Sequence, residues 1–222
     1  MLNLHHLCLR FYRNFGRIKA MIITYYGASC FKVQSGETVI VFNPPSKESN
    51  YKSPRFSADL VLISLNHKDY NGKEEISAKK ESGPFIIDGK GEYEIGGVYI
   101  KGISAPNALN TIYVLSFENI FLCHLGAFKG NLNPELKEEI GKVDILFVPT
   151  NNGELLDATE AAQVATNIEP KIVLPMHYEP GQLKKILKEF GAEEVKPIDK
   201  LTIKKKDLAE EKTEVVILEP VV

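Results

Sequence analysis

The order in which strand-like and helix-like segments follow one another is the strongest constraint on the fold of this chain. From Met21, short apolar segments are separated by glycines, as in MIITYYG, CFKVQSG and ETVIVFN. After Gly126, the apolar runs VDILFVPT and KIVLPMH alternate with helix-like segments such as PELKEEIGK and PGQLKKILKEFGA. Glycine-punctuated strands predict a meander of hairpins, and strand–helix alternation predicts helices outside a sheet. We therefore predict an α/β (α+β) fold with two sheets packed face to face.

Local signals support these assignments. The run ADLVLISL is apolar throughout, which is typical of a strand that is buried on both faces. The segment DATEAAQVATNIEP begins with Asp157 as a potential N-cap and has Glu160 three residues later, the spacing of a capping box. A helix is therefore predicted to begin at this aspartate.

Composition and charge exclude several classes of function. The chain has 222 residues, 44% hydrophobic and 25% charged, with a formal net charge of −2. A chain of this length can bury a sizeable core, and its charge balance gives no electrostatic reason to expect a nucleic-acid partner. No apolar run reaches the length of a membrane-spanning helix. The three cysteines (Cys8, Cys30 and Cys123) lack CxxC spacing, which predicts a reduced, cytoplasmic protein.

The first twenty residues differ from the rest. Residues 1–20 contain four basic residues and no acidic one, a charge of +4 that leaves −6 for the remainder of a chain of net charge −2. Such a segment is typical either of a basic amphipathic arm or of a peripheral extension. We predict a peripheral extension, followed by one domain over residues 21–222, because the strand pattern begins at Met21.

Four polar side chains follow apolar strands directly. His67 and Asp69 come after LVLIS, His124 after IFLC, and His177 after KIVLPM. Strand ends in α/β folds are where ligands bind, although a single histidine in such a place is more often a structural hydrogen-bonding residue. On an extended backbone, His67 and Asp69 would face the same side, so together these residues are a candidate metal site.

Several stretches resemble the metallo-β-lactamase fold superfamily, and within it small hydrolases related to L-ascorbate-6-phosphate lactonase. The matching stretches follow the family's order from Tyr25 to Tyr178 and are YYGASCFKV, TVIVFNPP, ADLVLISLNHKDYNG, GEYEIGG, FLCHLGAF, VDILFVPTNNG and DATEAAQVATNIEPKIVLPMHY. Each stretch alone is weak evidence for the family, but their occurrence in the family's order is specific evidence for its fold. The resemblance implies a four-layer αββα sandwich with a metal site at one edge of the two sheets.

The chain departs from the family's ligand pattern. Where the family has H-x-H-x-D-H, the aligned residues are Leu65, His67, Asp69 and Tyr70, so the outer two histidines are replaced. The final family histidine is retained as His177. Further positions at which the family carries polar or ligand residues hold different ones here: Ala28, Asn43, Asn107 and, in place of the metal-bridging aspartate, Ala127.

By the family's assignment, the remaining ligands do not complete either metal site. His67 belongs to the first metal, whereas Asp69 and His177 belong to the second. A catalytic zinc usually has three protein ligands, and a bridging carboxylate offsets the charge of two close cations. Without a metal, a water in the cleft does not ionise at neutral pH. We therefore predict a protein that is non-catalytic or binds metal only weakly, and whose cleft takes at most a small-molecule ligand.

An alternative remains open from the sequence. Asp69, His177 and His124, with Tyr70 as a weak fourth ligand, would surround a single divalent ion of the zinc or manganese type (Zn/Mn). Such a site would support a divergent hydrolase of ester, lactone or phosphoester bonds, with Asp69 as the catalytic residue. The predicted cofactor is therefore none or one such ion.

Two other polar pairs have an ordinary structural interpretation. Glu92 and Glu94 would suit acid–base chemistry, but they alternate with Tyr93 and Ile95, which predicts the outer face of an amphipathic hairpin. Asn151 and Asn152 follow a strand, where they suit either a substrate contact or a turn.

Overall fold

The structure is a computed structural model that describes residues 19–79, 81–106, 109–151, 154–208 and 212–221. The predicted basic extension therefore lies outside the described residues except for its last two positions. Asn107 and Asn152 also lie outside them.

Strands dominate the described part of the chain. They are β1 (Met21–Tyr25), β2 (Phe31–Ser35), β3 (Thr38–Phe42), β4 (Ser57–Ala58), β5 (Leu60–Leu62), β6 (Ser77–Ala78), β7 (Phe85–Ile87), β8 (Gly91–Ile95), β9 (Val98–Ser104), β10 (Thr111–Phe117), β11 (Ile120–His124), β12 (Ile145–Pro149), β13 (Ile172–Met176), β14 (Leu201–Ile203) and β15 (Glu214–Val215). The α-helices are α1 (Pro134–Ile140), α2 (Ala158–Ile168) and α3 (Leu183–Glu189). Short 3-10 helices cover Lys73–Glu75, Pro180–Gln182 and Lys205–Asp207.

Thirteen of these strands form two large mixed sheets, and β4 and β6 pair with each other in a small parallel sheet. Within the described residues, the first sheet has the order β14-β1-β2-β3-β5-β7 and the second has β15-β13-β12-β11-β10-β9-β8. The hairpins β1-β2 and β2-β3 are antiparallel, as the glycine-punctuated meander predicts. The later strands β11, β12 and β13 are parallel, as the alternation with helices predicts. Consecutive parallel strands end at the same edge of each sheet, which brings their following residues together.

The main core lies between the two sheets. Phe31 and Phe42 of the first sheet contact the ring of Phe147 in the second, with centroids 4.7 and 5.7 Å apart. A second core lies between the second sheet and the helices, where Leu136 of α1 and Val164 of α2 are buried together with the strand residues. The described residues of the outer face of the first sheet pack against short segments, including Phe56 and Ile76.

The helix termini follow the sequence signals. Asp157 caps α2 by accepting a hydrogen bond from the backbone N–H of Glu160, at 2.9 Å, and the Asp157 N–H donates to the carboxylate of Glu160 at 2.8 Å. This is the predicted capping box. No described helix combines the length and the apolar character that crossing a bilayer requires.

Candidate functional site

The predicted site residues lie where β3, β5, β11 and β13 end. Phe42, Leu62, His124 and Met176 close these four strands. The stretch after β5 turns instead of continuing as a strand, so residues 64–70 are bends and turns. His67 and Asp69 therefore do not lie on an extended backbone. The sequence-based expectation that their spacing of two makes them face the same side of a strand is wrong.

His177 is buried and bonded to protein groups. Its Nδ1 lies 2.8 Å from the hydroxyl of Tyr70 and 3.5 Å from Oγ of Ser29. Its backbone N–H donates to the hydroxyl of Tyr25 at 3.2 Å, and its backbone has a left-handed φ of 58°. Burial lowers the pKa of the His177 imidazole, and the carboxylate of Asp69 partly offsets that effect. The neutral ring can accept the phenolic proton of Tyr70 as a hydrogen bond.

Asp69 and His67 form a separate, more exposed pair. Oδ2 of Asp69 lies 3.7 Å from Nδ1 of His67, and the same nitrogen accepts a hydrogen bond from the Asp69 N–H at 3.3 Å. The other carboxylate oxygen accepts a hydrogen bond from Oγ of Ser49 at 2.5 Å. Asp69 is thus held by a serine of the loop that follows β3.

His124 is buried, and its contacts are hydrogen bonds and ring stacking with other protein groups. It is fully buried, its Nε2 lies 3.1 Å from the carbonyl oxygen of Ser29, and its Nδ1 accepts a hydrogen bond from the Gly126 N–H at 3.1 Å. The ring stacks on Phe42 with centroids 4.7 Å apart. Burial lowers the pKa of His124 to about 3, so the ring is neutral. Both ring nitrogens are engaged, and a metal at either one would have to displace a protein hydrogen bond.

Three of the positions at which the resemblance implies metal ligands contribute to one apolar cluster. Tyr70, Ala127 and Leu155 are buried together, and Leu65 packs against them. Leu65, Tyr70 and Ala127 stand where the family has two histidines and the bridging aspartate. At two of these positions, Leu65 and Ala127, only carbon atoms are present, and carbon cannot bind a divalent cation. At the third, the Tyr70 hydroxyl lies in hydrogen-bond contact with His177.

The other replaced positions are used structurally. Ala28 has φ 49°, and its carbonyl oxygen accepts a hydrogen bond from the Tyr25 hydroxyl at 2.9 Å. Asn43 is buried with φ 44°, and its Oδ1 accepts a hydrogen bond from the Ser64 N–H at 2.8 Å. Its side-chain Nδ2 has no hydrogen-bond partner among the described residues. Asn43 therefore joins the end of β3 to the residue following the apolar run of β5.

The structure brings the predicted residues into one region but not into a ligand set. Asp69 acts electrostatically on His177, and Tyr70 joins its own loop to that histidine. Among the residues that the structure describes, no group of three or more histidine, cysteine, aspartate or glutamate side chains is placed to hold a metal ion.

The two remaining polar pairs follow the structural interpretation as far as they are described. Glu92 and Glu94 are exposed on β8, while Tyr93 and Ile95 pack against the inter-sheet core. The carbonyl oxygen of Asn151 accepts a hydrogen bond from the Leu155 N–H at 3.2 Å, as expected for a turn.

Sequence reasoning missed the partners that hold the site together. Ser29 contacts both His124 and His177, and Ser49 contacts Asp69. Ser29 lies in the stretch ASCF, between strands, where a buried serine needs a hydrogen-bond partner. That requirement could have drawn attention to Ser29. Ser49 lies in a loop whose composition gives no comparable signal.

Comparisons with known proteins agree with this architecture. The family model described as "Beta-lactamase superfamily domain" matches residues 22–177. A UPF0173 protein of Pyrococcus furiosus is 26% identical over 196 residues, covering 76% of this chain and 91% of that protein. A UPF0173 metal-dependent hydrolase of Listeria welshimeri is 22% identical over 198 residues, covering 71% and 85% of the two chains.

Solved structures show the same fold. A crystal structure from Thermotoga maritima, described as a candidate Zn-dependent hydrolase of the metallo-β-lactamase superfamily, matches with a TM-score of 0.74 and 30% identity. The match covers 89% of this chain and 98% of that one. Igni18, a metallo hydrolase from Ignicoccus hospitalis, matches with a TM-score of 0.59 and 18% identity over 83% of this chain and 99% of its own. The predicted αββα sandwich is confirmed.

Proposed function

We propose that this chain, which belongs to the beta-lactamase superfamily, is a non-catalytic or only weakly metal-binding member whose cleft binds a ligand without hydrolysing it. The observation that carries this proposal is the direct hydrogen bond between Tyr70 and His177, at 2.8 Å. In the family pattern, both positions belong to histidines that bind metal. In this chain, Nδ1 of the retained His177 is hydrogen-bonded to the phenol of Tyr70.

The chemistry of Tyr70 supports the proposal. Burial raises the pKa of its phenol well above the ordinary value, so at neutral pH the hydroxyl keeps its proton and can donate it to His177 when Nδ1 carries no proton. A protonated phenol is a poor ligand for a divalent cation. A hydrogen-bonded phenol also stabilises the neutral imidazole, and the pair needs no ion to be complete.

The apolar cluster of Leu65, Tyr70, Ala127 and Leu155 argues against a two-metal centre. Two close cations need a bridging anion and several further ligands to offset their mutual repulsion. An alanine methyl and a leucine side chain supply neither charge nor lone pairs. The residues present do not fit a two-metal group, and we derive no hydrolytic step from one.

A reduced, single-metal hydrolase is the second candidate. It is favoured by the proximity of Asp69 and His67, 3.7 Å apart, and by relatives that are named metal-dependent hydrolases. In that case Asp69 and His177, with His67 or His124, would hold one Zn/Mn-type ion, and Asp69 would be the catalytic residue. The substrate would contain an ester, lactone or phosphoester bond.

The proposal includes the setting in which the chain acts. Cys30 and Cys123 are both buried free cysteines. Burial raises the pKa of each thiol far above its usual range, so neither is a reactive thiolate. We retain the predicted reduced, cytoplasmic setting and the single domain over residues 21–222.

Elemental analysis distinguishes the two candidates. The protein is purified without chelator and then incubated with Zn²⁺ or Mn²⁺ and desalted. Under the first candidate, bound metal stays below about a tenth of an equivalent after desalting. A stoichiometric ion that is lost in an Asp69→Asn variant, but retained in an exposed control such as Asp199→Asn, would overturn the non-catalytic proposal.

A further inference from the structure

A groove beside the site has a distinct chemistry of its own. It has a volume of about 640 Å³ and is lined by Tyr26, Lys47, Tyr51, Lys52, Ser53, Pro54, Arg55, Glu75 and Val221. Sites for small organic ligands are typically ~300–1,000 Å³ in volume. The groove is therefore large enough for a ligand with one ring and one anionic group.

The side chains of the groove carry an excess of positive charge. Lys47, Lys52 and Arg55 face one carboxylate, Glu75, which gives a balance of +2 for the lining side chains. None of the three cations forms an ion pair with another residue in the described ranges. Lysine and arginine side chains with no carboxylate partner attract anions, and the fork of an arginine binds phosphate through two hydrogen bonds.

The loop that carries these cations is fixed from several sides. Its first part is joined to the loop after β5, because the Ser46 N–H donates to the carbonyl of Lys68 at 2.8 Å and the Gly72 N–H donates to the carbonyl of Pro44 at 2.6 Å. Oγ of Ser53 donates to the carbonyl of Pro45 at 2.8 Å. A loop held in this way presents its charges with little further loss of entropy on binding.

Two tyrosines line the groove together with the cations. The ring of Tyr26 packs against Phe56, with centroids 5.0 Å apart. Tyr26 also lines the groove. The ring of Tyr51 contacts the edge of His177, at 5.9 Å between centroids. Tyr51 thus belongs both to the groove and to the surroundings of His177. Burial raises the pKa of its phenol, and the carboxylates of Glu179, Asp69 and Glu154 raise it further. Negative charge on that side disfavours an anion there and favours one beside the lysines and the arginine.

We propose that this groove binds an aromatic organic phosphate, with the phosphate held by Lys47, Lys52 and Arg55 and the ring placed against Tyr26 and Tyr51. A phosphate monoester dianion matches the surplus of two positive charges. Ring–ring contacts supply the apolar part of the affinity. This inference goes beyond the proposed function, since the groove contains none of the candidate metal ligands.

The test uses phenyl phosphate as the probe, titrated into the full-length protein in the presence of chelator. Binding is followed by ¹⁵N–¹H chemical shifts and by calorimetry. We expect saturable shifts at the amides of the groove, such as those of Ser53 and Arg55. Binding in chelator separates this inference from the metal question, because its success or failure does not depend on an ion.

Matched double variants test the cations. We expect Lys52→Ala/Arg55→Ala to weaken phenyl phosphate binding at least about tenfold, because two charge-assisted contacts are lost. The control Lys184→Ala/Lys185→Ala removes the same charge from two exposed positions of α3 and is expected to bind within about twofold of the parent. Equal weakening in both variants would show general electrostatic attraction and would overturn the assignment of the groove.

Two further probes test the two halves of the ligand. Inorganic phosphate and benzoate should each bind more weakly than phenyl phosphate, since each lacks one of the two groups that the groove recognises. Inorganic phosphate binding as tightly as phenyl phosphate would overturn the aromatic contact. Benzoate binding as tightly would overturn the preference for phosphate. Absence of shifts in the groove amides at saturating phenyl phosphate would overturn the inference entirely.

Discussion

The hydroxyl of Tyr70 and Nδ1 of His177, 107 residues apart in sequence, lie 2.8 Å from each other at the edge where the two sheets meet. Tyr70 follows β5 of the first sheet, and His177 follows β13 of the second. The hydrogen bond therefore connects the two halves of the sandwich directly. In the family pattern that the sequence resembles, both positions are histidines.

Removing that hydroxyl should destabilise the protein. In Tyr70→Phe the hydrogen bond to His177 is lost while the ring remains in its apolar cluster. We expect the free energy of unfolding in urea to fall by about 1–2 kcal/mol, because the buried Nδ1 of His177 then keeps only the longer contact of 3.5 Å with Oγ of Ser29. The matched control is Tyr178→Phe, since the Tyr178 hydroxyl has no hydrogen bond to a described residue. An equal effect of the two substitutions would contradict the role assigned to the Tyr70 hydroxyl.

Restoring the replaced ligands should make stability depend on metal. The variant Leu65→His/Tyr70→His/Ala127→Asp returns polar ligands to three positions of the apolar cluster beside His67, Asp69 and His177. We expect its melting temperature to rise with added Zn²⁺ and that of the parent to stay unchanged, because an ion that binds only the folded state stabilises it. Without metal, the variant should be less stable than the parent by a few kcal/mol, roughly the cost of polar groups in an apolar cluster. Scanning calorimetry with and without chelator measures both effects. A melting temperature of the parent that falls in chelator would contradict the proposed function.

Stability should fall on mild acidification because two buried histidines are held neutral. Burial lowers the pKa of His177 and lowers that of His124 to about 3, whereas an imidazole in the unfolded chain titrates near 6.5. Below pH 6.5 the unfolded state therefore binds more protons than the folded state, and the free energy of unfolding decreases as the pH falls from 6.5 toward 3. The slope reaches at most about 1.4 kcal/mol per pH unit for each histidine.

Urea unfolding between pH 7.5 and 5 measures this slope while most carboxylates remain ionised. The expected curve is flat above pH 7 and declines below 6.5. A free energy of unfolding that stays constant down to pH 5 would show that the two rings are not kept neutral.

A single methyl group should loosen the loop that carries the basic groove. A Cβ at Gly72 would clash with the carbonyl oxygen of Pro45, a backbone atom that cannot yield without moving the loop. Gly72→Ala is therefore expected to lower the free energy of unfolding by roughly 1–3 kcal/mol through overpacking. Gly181→Ala is the matched control, because a Cβ there meets no atom within 4 Å. Chemical denaturation compares the two. Equal stability of both variants would contradict the described contact between the loops.

The sequence predicts the elements of the sandwich because their signals are local. The capping box at Asp157 and Glu160 involves residues three apart, and it forms as predicted. Alternation of Glu92 and Glu94 with apolar residues likewise fixes which face of β8 is exposed. Each of these patterns lies within a few consecutive residues, so it can be recognised without knowing the rest of the chain.

The connections within the site are not predictable in the same way. His124 follows a strand just as His177 does, yet it is stacked on Phe42 and bonded to Ser29, 95 residues away in sequence. Nothing near His124 in sequence distinguishes a buried structural histidine from a ligand. Only the packing of the two sheets decides which imidazole nitrogens remain available, and that packing is a tertiary property.

The apolar cluster also determines how the chain can evolve. A single substitution of Leu65 or Ala127 to a ligand residue puts a polar group among carbon atoms before a complete set of ligands exists to hold an ion. Each such step lowers stability and gains no metal affinity in return. The cluster therefore opposes the gain of metal ligands one substitution at a time. A two-metal centre at this edge would therefore require several substitutions made together.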